Sequence, residues 1–418
     1  MKPGRIVIVG AGQSAAVAAQ ALREHGYGGR ITMVGRERHR PYERPPLSKA
    51  VLVAADEPAL DVLPEEAWTR SNIELLSGIE TVALDPAQRQ VRLADGQALA
   101  YEKCLLATGG EARTLAAFPA SDPRVHYIRT VDDARSLRAA LRGKPRVAIL
   151  GGGFLGLEIA NSCLASGASV TVLERAGSLL DRFLPPDASA WLESELRNAG
   201  AQLLLGSSVD EAPSSVDGRM RLRIDAGTRL DVDQVVVAIG LSPNDALARE
   251  AGLAMGPGGG VLVDANCRTS DEHVFACGDC ASQRRPGQDQ PTRLESWQNA
   301  NEQARAAAAS MAGAPAPVPA VPWFWTDQGQ HNIQMLGLPA PDLEYVCRGH
   351  PASSKALWIG HRRLVPMHGV AINAGSELRA VRPLFELGQP VPLQDFHRET
   401  LTVRAWARQQ LAETATAS

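Results

Sequence analysis

Two copies of a glycine-rich turn between a strand and a helix constrain the fold more than any other feature of the sequence. In the first copy, a β-branched run at residues 6–9 leads into Gly10 and Gly12, and an alanine-rich stretch follows from Ala15. A continuous run of this kind is typical of a strand buried on both faces of a parallel sheet. Gly10 permits the tight turn, Gly12 lets a pyrophosphate approach the backbone, and Ala15 lets the helix pack closely. The motif predicts a dinucleotide site.

The second copy follows the run at residues 147–150 and is a complete G-x-G-x-x-G. Its glycines are Gly151, Gly153 and Gly156, and the next predicted strand ends at Glu174, about 20 residues later. A carboxylate at that place accepts a hydrogen bond from the ribose 2′-OH of NAD and repels the 2′-phosphate of NADP. We therefore expect NADH to bind in preference to NADPH. Because the copies lie about 140 residues apart, we interpret them as two dinucleotide sites in one chain.

The composition is that of a globular protein with substantial cores, since 44% of its 418 residues are hydrophobic and 21% are charged. The net charge of −3 argues against nucleic-acid binding, which favours basic chains. No apolar run is long enough to span a bilayer, and residues 1–9 lack the long apolar core of a signal peptide. We expect a cytoplasmic protein with no membrane or nucleic-acid partner. The sequence carries no clear oligomer signature, and we favour a monomer.

Two further loops carry polar residues of the kind that contacts a cofactor. The loop at residues 40–49 is rich in proline and holds the cations Arg44 and Lys49, although a loop of this composition can also be a plain linker. A predicted buried strand is followed directly by Thr108 and Gly109. Both loops come after strands of the first dinucleotide unit, where ligands of parallel sheets bind.

Two carboxylates follow predicted strands and suit the hydroxyl groups of a sugar. Asp279 follows the buried run 274–277, and its alternative role is that of an ordinary turn or cap residue. Glu37 follows the second strand of the first unit, one position later than usual, because Arg36 occupies the expected place. We assign Glu37 to the adenosine ribose and Asp279 to a ribose or ribityl hydroxyl.

A C-x-x-C pair at Cys277 and Cys280 is a spacing that also occurs in redox and zinc sites. No second pair of cysteines or histidines lies at ligand spacing, and Asp279 stands between the two thiols. The six cysteines are scattered, as in reduced proteins. We therefore expect neither a metal site nor a disulfide here.

Taken in chain order, these motifs resemble one family. Beside the two glycine motifs, the segments that carry the resemblance are Arg44-Pro45-Pro46-Leu47-Ser48-Lys49, Thr108-Gly109, Cys277-Gly278-Asp279 and Glu295-Ser296-Trp297. The chain resembles the FAD-dependent, NADH-using ferredoxin reductases that serve bacterial Rieske dioxygenases and haem monooxygenases. The resemblance extends over roughly residues 4–385.

The resemblance implies that FAD binds at the first glycine motif and NADH at the second. It places Lys49 near the N5 edge of the flavin and Glu158 close to Lys49 and the nicotinamide. The residues that we assign to FAD are Gly10, Gly12, Ala15, Glu37, Arg44, Lys49, Thr108, Gly109, Asp279, Glu295 and Trp297. The residues that we assign to NADH are Gly151, Gly153, Gly156 and Glu174.

The residues and the resemblance agree on an α/β fold, with two Rossmann-like dinucleotide-binding domains and a small α+β C-terminal domain. We expect a discontinuous FAD domain at residues 1–115 and 241–318. The NADH domain, at residues 116–240, is inserted into it, and the C-terminal domain covers residues 319–418.

The implied activity is electron transfer from NADH through FAD to a 2Fe–2S ferredoxin that serves an oxygenase. In this interpretation Lys49 is catalytic, because its charge stabilises the reduced flavin, and Glu158 holds Lys49 in place. The ferredoxin is expected to dock over the C-terminal domain, near Trp297, Trp323 or Trp325, although all three tryptophans could instead be core residues. Because such ferredoxins are usually acidic, nearby arginines could guide docking. These arginines are Arg284, Arg285 and Arg293.

Three alternatives remain open at this point. A pyridine nucleotide–disulfide reductase would need a cysteine pair in the loop after the first βαβ unit, and residues 41–49 contain none. A rubredoxin or nitrite-system reductase would differ from our interpretation only in its electron acceptor. A flavoprotein similar to apoptosis-inducing factor would act through binding partners, and the acidic charge balance disfavours it.

Overall fold

The computed structural model describes residues 4–210, 213–285, 288–398 and 400–417. The α-helices, numbered in chain order, are α1 (Gln13–Glu24), α2 (Ala50–Val53), α3 (Glu65–Ser71), α4 (Val131–Leu141), α5 (Phe154–Ala165), α6 (Pro186–Asn198), α7 (Ala246–Glu250), α8 (Trp297–Met311), α9 (Gly375–Leu387) and α10 (Val403–Ala417). The strands are β1 (Arg5–Val9), β2 (Arg30–Gly35), β3 (Ile73–Ser77), β4 (Thr81–Asp85), β5 (Gln90–Leu93), β6 (Ala98–Ala100), β7 (Lys103–Leu106), β8 (Gly110–Ala112), β9 (Val125–His126), β10 (Arg146–Leu150), β11 (Ser169–Glu174), β12 (Gln202–Leu205), β13 (Ser214–Val216), β14 (Arg219–Ile224), β15 (Thr228–Val232), β16 (Gln234–Val237), β17 (Leu241–Pro243), β18 (Val261–Val263), β19 (Val274–Ala276), β20 (Ala281–Gln283), β21 (Trp323–Gln328), β22 (His331–Gly337), β23 (Glu344–His350), β24 (Lys355–Arg362) and β25 (Val365–Ile372).

The chain forms two compact units, and each is assembled from separate segments. The first unit contains the chain up to Pro45, together with Ala59–Glu111 and Leu241–Ala320. The second contains Pro46–Pro58, Ala112–Gly240 and the chain from Val321 onward. The ranges expected for the FAD domain fall mainly in the first unit, and those expected for the NADH and C-terminal domains fall mainly in the second. The division into three domains stays a prediction.

The first unit is built on a parallel sheet with the strand order β3-β2-β1-β7-β19. Ile6 and Ile8 of β1 belong to the core on one face of this sheet, together with alanines of α1 and α8. Val7 and Val9 belong to a separate core, as the alternation of side chains along a strand requires. The β-branched run is therefore buried on both faces, as the sequence predicts.

The second unit contains a parallel sheet with the strand order β12-β11-β10-β16-β9. Here β10 has the central place that β1 has in the first unit, and α5 follows it as α1 follows β1. Its consecutive residues Ala148 and Ile149 point to opposite faces and are both completely buried, so this run also forms a strand covered on both faces. The internal repeat in the sequence thus corresponds to a repeat in the fold.

The last part of the second unit is an antiparallel sheet with the order β21-β22-β25-β24-β23. The helix α9 packs on its central strands and α10 packs on α9. Leu336 of the sheet, Phe385 of α9 and Trp406 of α10 lie in one core. The α/β fold class with an α+β C-terminal part is confirmed. No helix in the described ranges combines the length and the apolar character needed to cross a membrane.

Two local features differ from the simplest interpretation of the sequence pattern. The pattern predicts a long helix from Arg293, whereas α8 begins at Trp297, because the Ser296 hydroxyl accepts a hydrogen bond from the Asn299 amide and caps the helix there. The pattern also makes Ser48 a possible helix cap. Lys49 instead occupies the N-cap position of α2, without a side-chain cap, and Ser48 has another partner.

Candidate functional site

The turn after β1 forms an open cradle at the N-terminus of α1. Gly10 has φ = +116°, and a Cβ there would overlap the carbonyl oxygen of Ala107. Gly12 is the N-cap residue of α1, and no described atom lies within 4 Å of the position that its Cβ would take. Ala15 is fully buried. Free backbone N–H groups at a helix N-terminus face this open space, so the residues present fit the pyrophosphate of FAD.

The other predicted FAD contacts of the first unit gather at the same edge of its sheet. Glu37 follows β2, Thr108 and Gly109 follow β7, and Asp279 follows β19. Because β2 and β7 pair in parallel with β1, and β19 pairs in parallel with β7, the carboxyl ends of these strands lie at the edge where ligands of such sheets bind. The Thr108 hydroxyl donates a hydrogen bond to the Asn244 carbonyl (2.6 Å), a partner that the sequence did not reveal.

Glu37 and Arg44 form an ion pair within this group. Arg44 Nη2 lies 2.7 Å from Glu37 Oε1, and the Tyr42 hydroxyl donates to the second carboxylate oxygen. Burial alone would raise the pKa of Glu37, but Arg44 and Tyr42 outweigh it and lower the pKa. Arg36, which replaces the usual acidic residue, pairs instead with Glu111. Glu37 is therefore ionised and oriented by Arg44.

One arginine contacts two of the predicted residues near α8, Glu295 and Asp279. Arg293 Nη1 donates to the Glu295 carboxylate (2.6 Å) and to the Asp279 backbone carbonyl (3.2 Å). Trp297, the first residue of α8, is 39% exposed.

The expectation that three arginines guide docking needs correction. Arg285 is buried against Asn299, and the Arg293 side chain is only 12% exposed. Arg284 alone among the three is exposed.

The second glycine motif forms a matching cradle at the N-terminus of α5. Gly151 has φ = +111°, and Gly153 is an N-cap residue whose Cβ position meets no described atom within 4 Å. A Cβ at Gly156 would overlap the carbonyl oxygen of Gly151. Glu174 ends β11 and accepts hydrogen bonds from the backbone N–H groups of Gly152 and Ala176, both at 2.7 Å. Its carboxylate is thereby fixed beside the glycine turn, and the site fits NADH.

Lys49 and Glu158, the two residues predicted to be catalytic, are in direct contact in the second unit. Lys49 Nζ lies 3.1 Å from Glu158 Oε1 and 3.1 Å from Asp327 Oδ2. The Glu158 carboxylate also accepts hydrogen bonds from the hydroxyls of Ser48 (2.6 Å) and Thr326 (2.7 Å). Glu158 is on α5, so one helix carries both the second glycine motif and this carboxylate.

Asp327 is the second carboxylate on Lys49. Asn332 Nδ2 donates to it at 2.7 Å. Burial alone would raise the pKa of Asp327, but hydrogen bonds from Asn332 and Lys49 and the charge of Lys49 outweigh it and lower the pKa. Lys49 therefore stands between two carboxylates, those of Glu158 and Asp327.

Two tryptophans of β21 lie next to this cluster. Lys49 Nζ is 5.9 Å from the centre of the Trp325 ring, within the range of a cation–π contact. Trp325 stacks on Trp323 at 5.1 Å between ring centres. Trp323 packs against the core of the C-terminal part, as the core alternative expects. The sequence reasoning missed Ser48, Thr326 and Asp327 as partners of the Lys49–Glu158 pair.

The six cysteines, which include the C-x-x-C pair, are all within the described ranges and are free thiols. Cys277 and Cys280 are completely buried, and burial raises the pKa of both. The described part of the chain contains no cluster of histidine, cysteine or acidic side chains that could hold a metal ion.

Comparison with known proteins agrees with this geometry. The chain matches the pyridine nucleotide–disulphide oxidoreductase family over residues 4–304 and the reductase C-terminal family over residues 323–407. A solved complex of putidaredoxin reductase covalently linked to putidaredoxin is similar, with 31% identity, a TM-score of 0.93, and coverage of 99% of this chain and 100% of the other.

Two further solved structures are similar over nearly the same length. The ferredoxin reductase for the CYP199A2 system of Rhodopseudomonas palustris has 33% identity, a TM-score of 0.90, and coverage of 96% of this chain and 99% of its own. The protein Fdr9 has 30% identity, a TM-score of 0.84 and the same coverage. The chain therefore belongs to the pyridine nucleotide–disulphide oxidoreductase family, as an NADH-dependent FAD oxidoreductase of the ferredoxin reductase group.

Proposed function

We propose that this protein passes electrons from NADH through FAD to a 2Fe–2S ferredoxin that serves an oxygenase. The observation that carries the proposal is the Lys49–Glu158 pair, because its lysine lies in the segment where a disulfide reductase would need cysteines. Residues 41–49 contain no cysteine, so thiol chemistry has no nucleophile there. Full-length similarity to ferredoxin reductases supports the same acceptor class.

The protein supplies binding and charge in this scheme. Bound FAD would accept a hydride from NADH and release the electrons singly. Lys49 supplies a fixed positive charge that stabilises the reduced cofactor, and Glu158 positions Lys49. Ser48 and Thr326 hold the Glu158 carboxylate, so its orientation does not depend on Lys49 alone.

The residues proposed to bind cofactors form two groups, one for each glycine motif. The residues proposed for FAD are Gly10, Gly12, Ala15, Glu37, Arg44, Lys49, Thr108, Gly109, Asp279, Glu295 and Trp297. The residues proposed for NADH are Gly151, Gly153, Gly156 and Glu174. The three-domain division, with FAD, NADH and C-terminal domains, belongs to the same proposal. So do a cytoplasmic location and a monomeric state.

The acceptor is proposed to dock near Trp325. The indole of Trp325 contacts Lys49, and the solved complex supports a ferredoxin as partner, because it links a related reductase to putidaredoxin. A rubredoxin or nitrite-system acceptor, and a binding role similar to that of apoptosis-inducing factor, have no specific observation in their favour.

Steady-state electron transfer separates these acceptors. Cytochrome c reduction driven by NADH is measured with the purified protein alone, with a 2Fe–2S ferredoxin and with a rubredoxin. We expect the ferredoxin to accelerate cytochrome reduction and the rubredoxin to have much less effect. Equal or greater acceleration by rubredoxin would refute the proposed acceptor, and no acceleration by either would refute the carrier role.

A further inference from the structure

The segment that carries Lys49 belongs to the second unit, although the strands on either side of it in sequence, β2 and β3, belong to the first. This segment is Pro46–Pro58. Its short helix α2 packs against α4 and α5. Val51 and Leu52 of α2 are almost fully buried, as are Ala134 and Leu137 of α4. The position of Lys49 therefore depends on helices that come much later in the chain.

Arg138 of α4 binds the C-terminal end of α2. Its Nη2 donates hydrogen bonds to the carbonyl oxygens of Ala54 (2.6 Å) and Ala55 (2.9 Å). Ala54 is the C-cap residue of α2. Carbonyls at the C-terminus of a helix have no partner within the helix, so a guanidinium is well suited to this position. Arg138 therefore caps α2 from a neighbouring helix.

Two more contacts hold the same segment. Arg135, one turn before Arg138, forms a bidentate pair with Glu57, with its shortest contact at 2.6 Å. This pair is exposed, and such pairs contribute only about 0–1 kcal/mol. At the other end of α2, the buried Ser162 hydroxyl of α5 donates to the Ser48 carbonyl at 2.6 Å. Lys49 lies between the Ser48 and Arg138 anchors.

We propose that Arg138 is a positioning residue for Lys49, acting through α2, and that Arg135 assists it. The proposal rests on the function proposed above for Lys49. Lys49 is the N-cap residue of α2, so a displacement of α2 moves the Lys49 backbone. Its ammonium is 3.1 Å from each of two carboxylates, near the upper limit for a hydrogen bond. A shift of about 1 Å would therefore break one contact, and shifts of that size can strongly reduce rates.

The test compares Arg138→Ala, Arg138→Lys and the control Arg142→Ala in the flavin-loaded protein. Arg142 is an exposed arginine at the C-cap of the same helix. The first measurement is amide hydrogen exchange of residues 50–57. We expect faster exchange in Arg138→Ala than in the parent, unchanged exchange in Arg142→Ala, and partial recovery in Arg138→Lys, which keeps a positively charged donor group. Unchanged exchange in Arg138→Ala would overturn the proposal.

The second measurement is the limiting rate of flavin reduction at saturating NADH, with the dissociation constant of NADH from the same titration. We expect Arg138→Ala to lower the limiting rate roughly tenfold and to leave the dissociation constant unchanged, because the glycine motif and Glu174 are untouched. A change confined to the dissociation constant would overturn the positioning role.

A double variant decides whether Arg138 acts through Lys49. If it does, Arg138→Ala has no further effect on the rate in a Lys49→Ala background, because coupled residues are not additive. Equal slowing in both backgrounds would contradict the proposal. A normal rate in Lys49→Ala alone would refute the proposed role of Lys49 itself. A slow Lys49→Ala beside a normal Arg138→Ala would refute only the inference about Arg138.

Discussion

Lys49 stands between Glu158 and Asp327, and this arrangement determines what its removal does. In Lys49→Met, Glu158 keeps its hydrogen bonds from Ser48 and Thr326, so the fold does not depend on the lysine. A partly exposed ion pair contributes about 0–1 kcal/mol, and we expect a shift in Tm of only a few degrees. We expect the rate of flavin reduction by NADH, followed by rapid mixing, to fall roughly 10- to 100-fold, because the variant loses the charge that we propose to stabilise the reduced flavin.

A second lysine of the same unit provides the control. Lys355 pairs with Glu377 at 2.6 Å, with the lysine side chain 59% exposed. Lys355→Met removes a more exposed lysine–carboxylate ion pair and should leave flavin reduction unchanged. A normal reduction rate in Lys49→Met together with a large loss of Tm would instead make Lys49 a structural residue.

Glu174 is the residue proposed to select NADH. Its carboxylate is oriented by the amides of Gly152 and Ala176, and it would repel a 2′-phosphate. We expect Glu174→Ser to lower the ratio of kcat/KM for NADH over NADPH roughly tenfold, which corresponds to about 1.4 kcal/mol. Adding Arg175→Ala should remove part of the gain with NADPH, because Arg175 is the exposed cation beside the site. An unchanged ratio in Glu174→Ser would contradict the assignment.

The burial of His368 predicts that the stability of the protein depends on pH. It is fully buried, its Nδ1 lies 2.8 Å from the Tyr345 hydroxyl, and burial lowers its pKa to about 4. The unfolded histidine has a pKa near 6.5. As the pH falls from about 6.5 to 4, the unfolded chain takes up a proton that the folded chain does not, so stability is lost, by up to about 3 kcal/mol.

The variant His368→Asn removes this titration. We expect the Tm of the parent to fall more steeply than that of the variant between about pH 7 and pH 4.5, because the other titrating groups are common to both proteins. Parallel Tm curves would show that His368 does not contribute to acid sensitivity.

At the scale of elements, the two glycine motifs differ in one position that the structure explains. A Cβ at Gly156 would overlap the Gly151 carbonyl, which is backbone and cannot move aside, whereas Ala15 occupies the same place in the first motif. We expect Gly156→Ala to abolish NADH binding in a fluorescence titration and to leave the FAD content unchanged. Ala15→Gly should retain both cofactors and cost about 1 kcal/mol of helix stability. Normal NADH binding by Gly156→Ala would show that the turn can relax.

Much of the element pattern was predictable from the sequence. The runs that became β1 and β10 are recognisable because residues buried on both faces are uninterruptedly apolar, and the glycines mark where each turn must begin. The start predicted for α8, at Arg293, was wrong because Arg293 and Glu295 are also compatible with a helix. The cap residue Ser296 was the available signal, since serine is favoured at N-caps.

The contacts of Lys49 could not be predicted in the same way. Thr326 and Asp327 lie on β21, far along the chain from Lys49 and Glu158, and only the packing of α5 against β21 brings them together. Lys49 and Glu158 themselves were found through a family resemblance. No local pattern specifies these partners, because the contacts are long-range.

At the scale of the whole molecule, one short segment belongs to a different unit from the strands that precede and follow it in sequence. The expected FAD domain included all residues up to 115, whereas Pro46–Pro58 belongs to the unit that contains the second glycine motif. Buried Val51 and Leu52, together with the carbonyls bound by Arg138, account for this membership. A proline stands at each end of the segment, where the chain changes unit.

The most direct test of the whole account is a sequential anaerobic mixing experiment. The oxidised, FAD-loaded protein is first mixed with one equivalent of NADH and then with an excess of oxidised 2Fe–2S ferredoxin, while flavin and cluster absorbance are followed separately. We predict that NADH bleaches the flavin and that ferredoxin restores its absorbance, with two clusters reduced for each flavin, because a hydride carries two electrons and each cluster accepts one. A flavin that NADH does not bleach, or one that stays reduced in the presence of ferredoxin, would contradict the account.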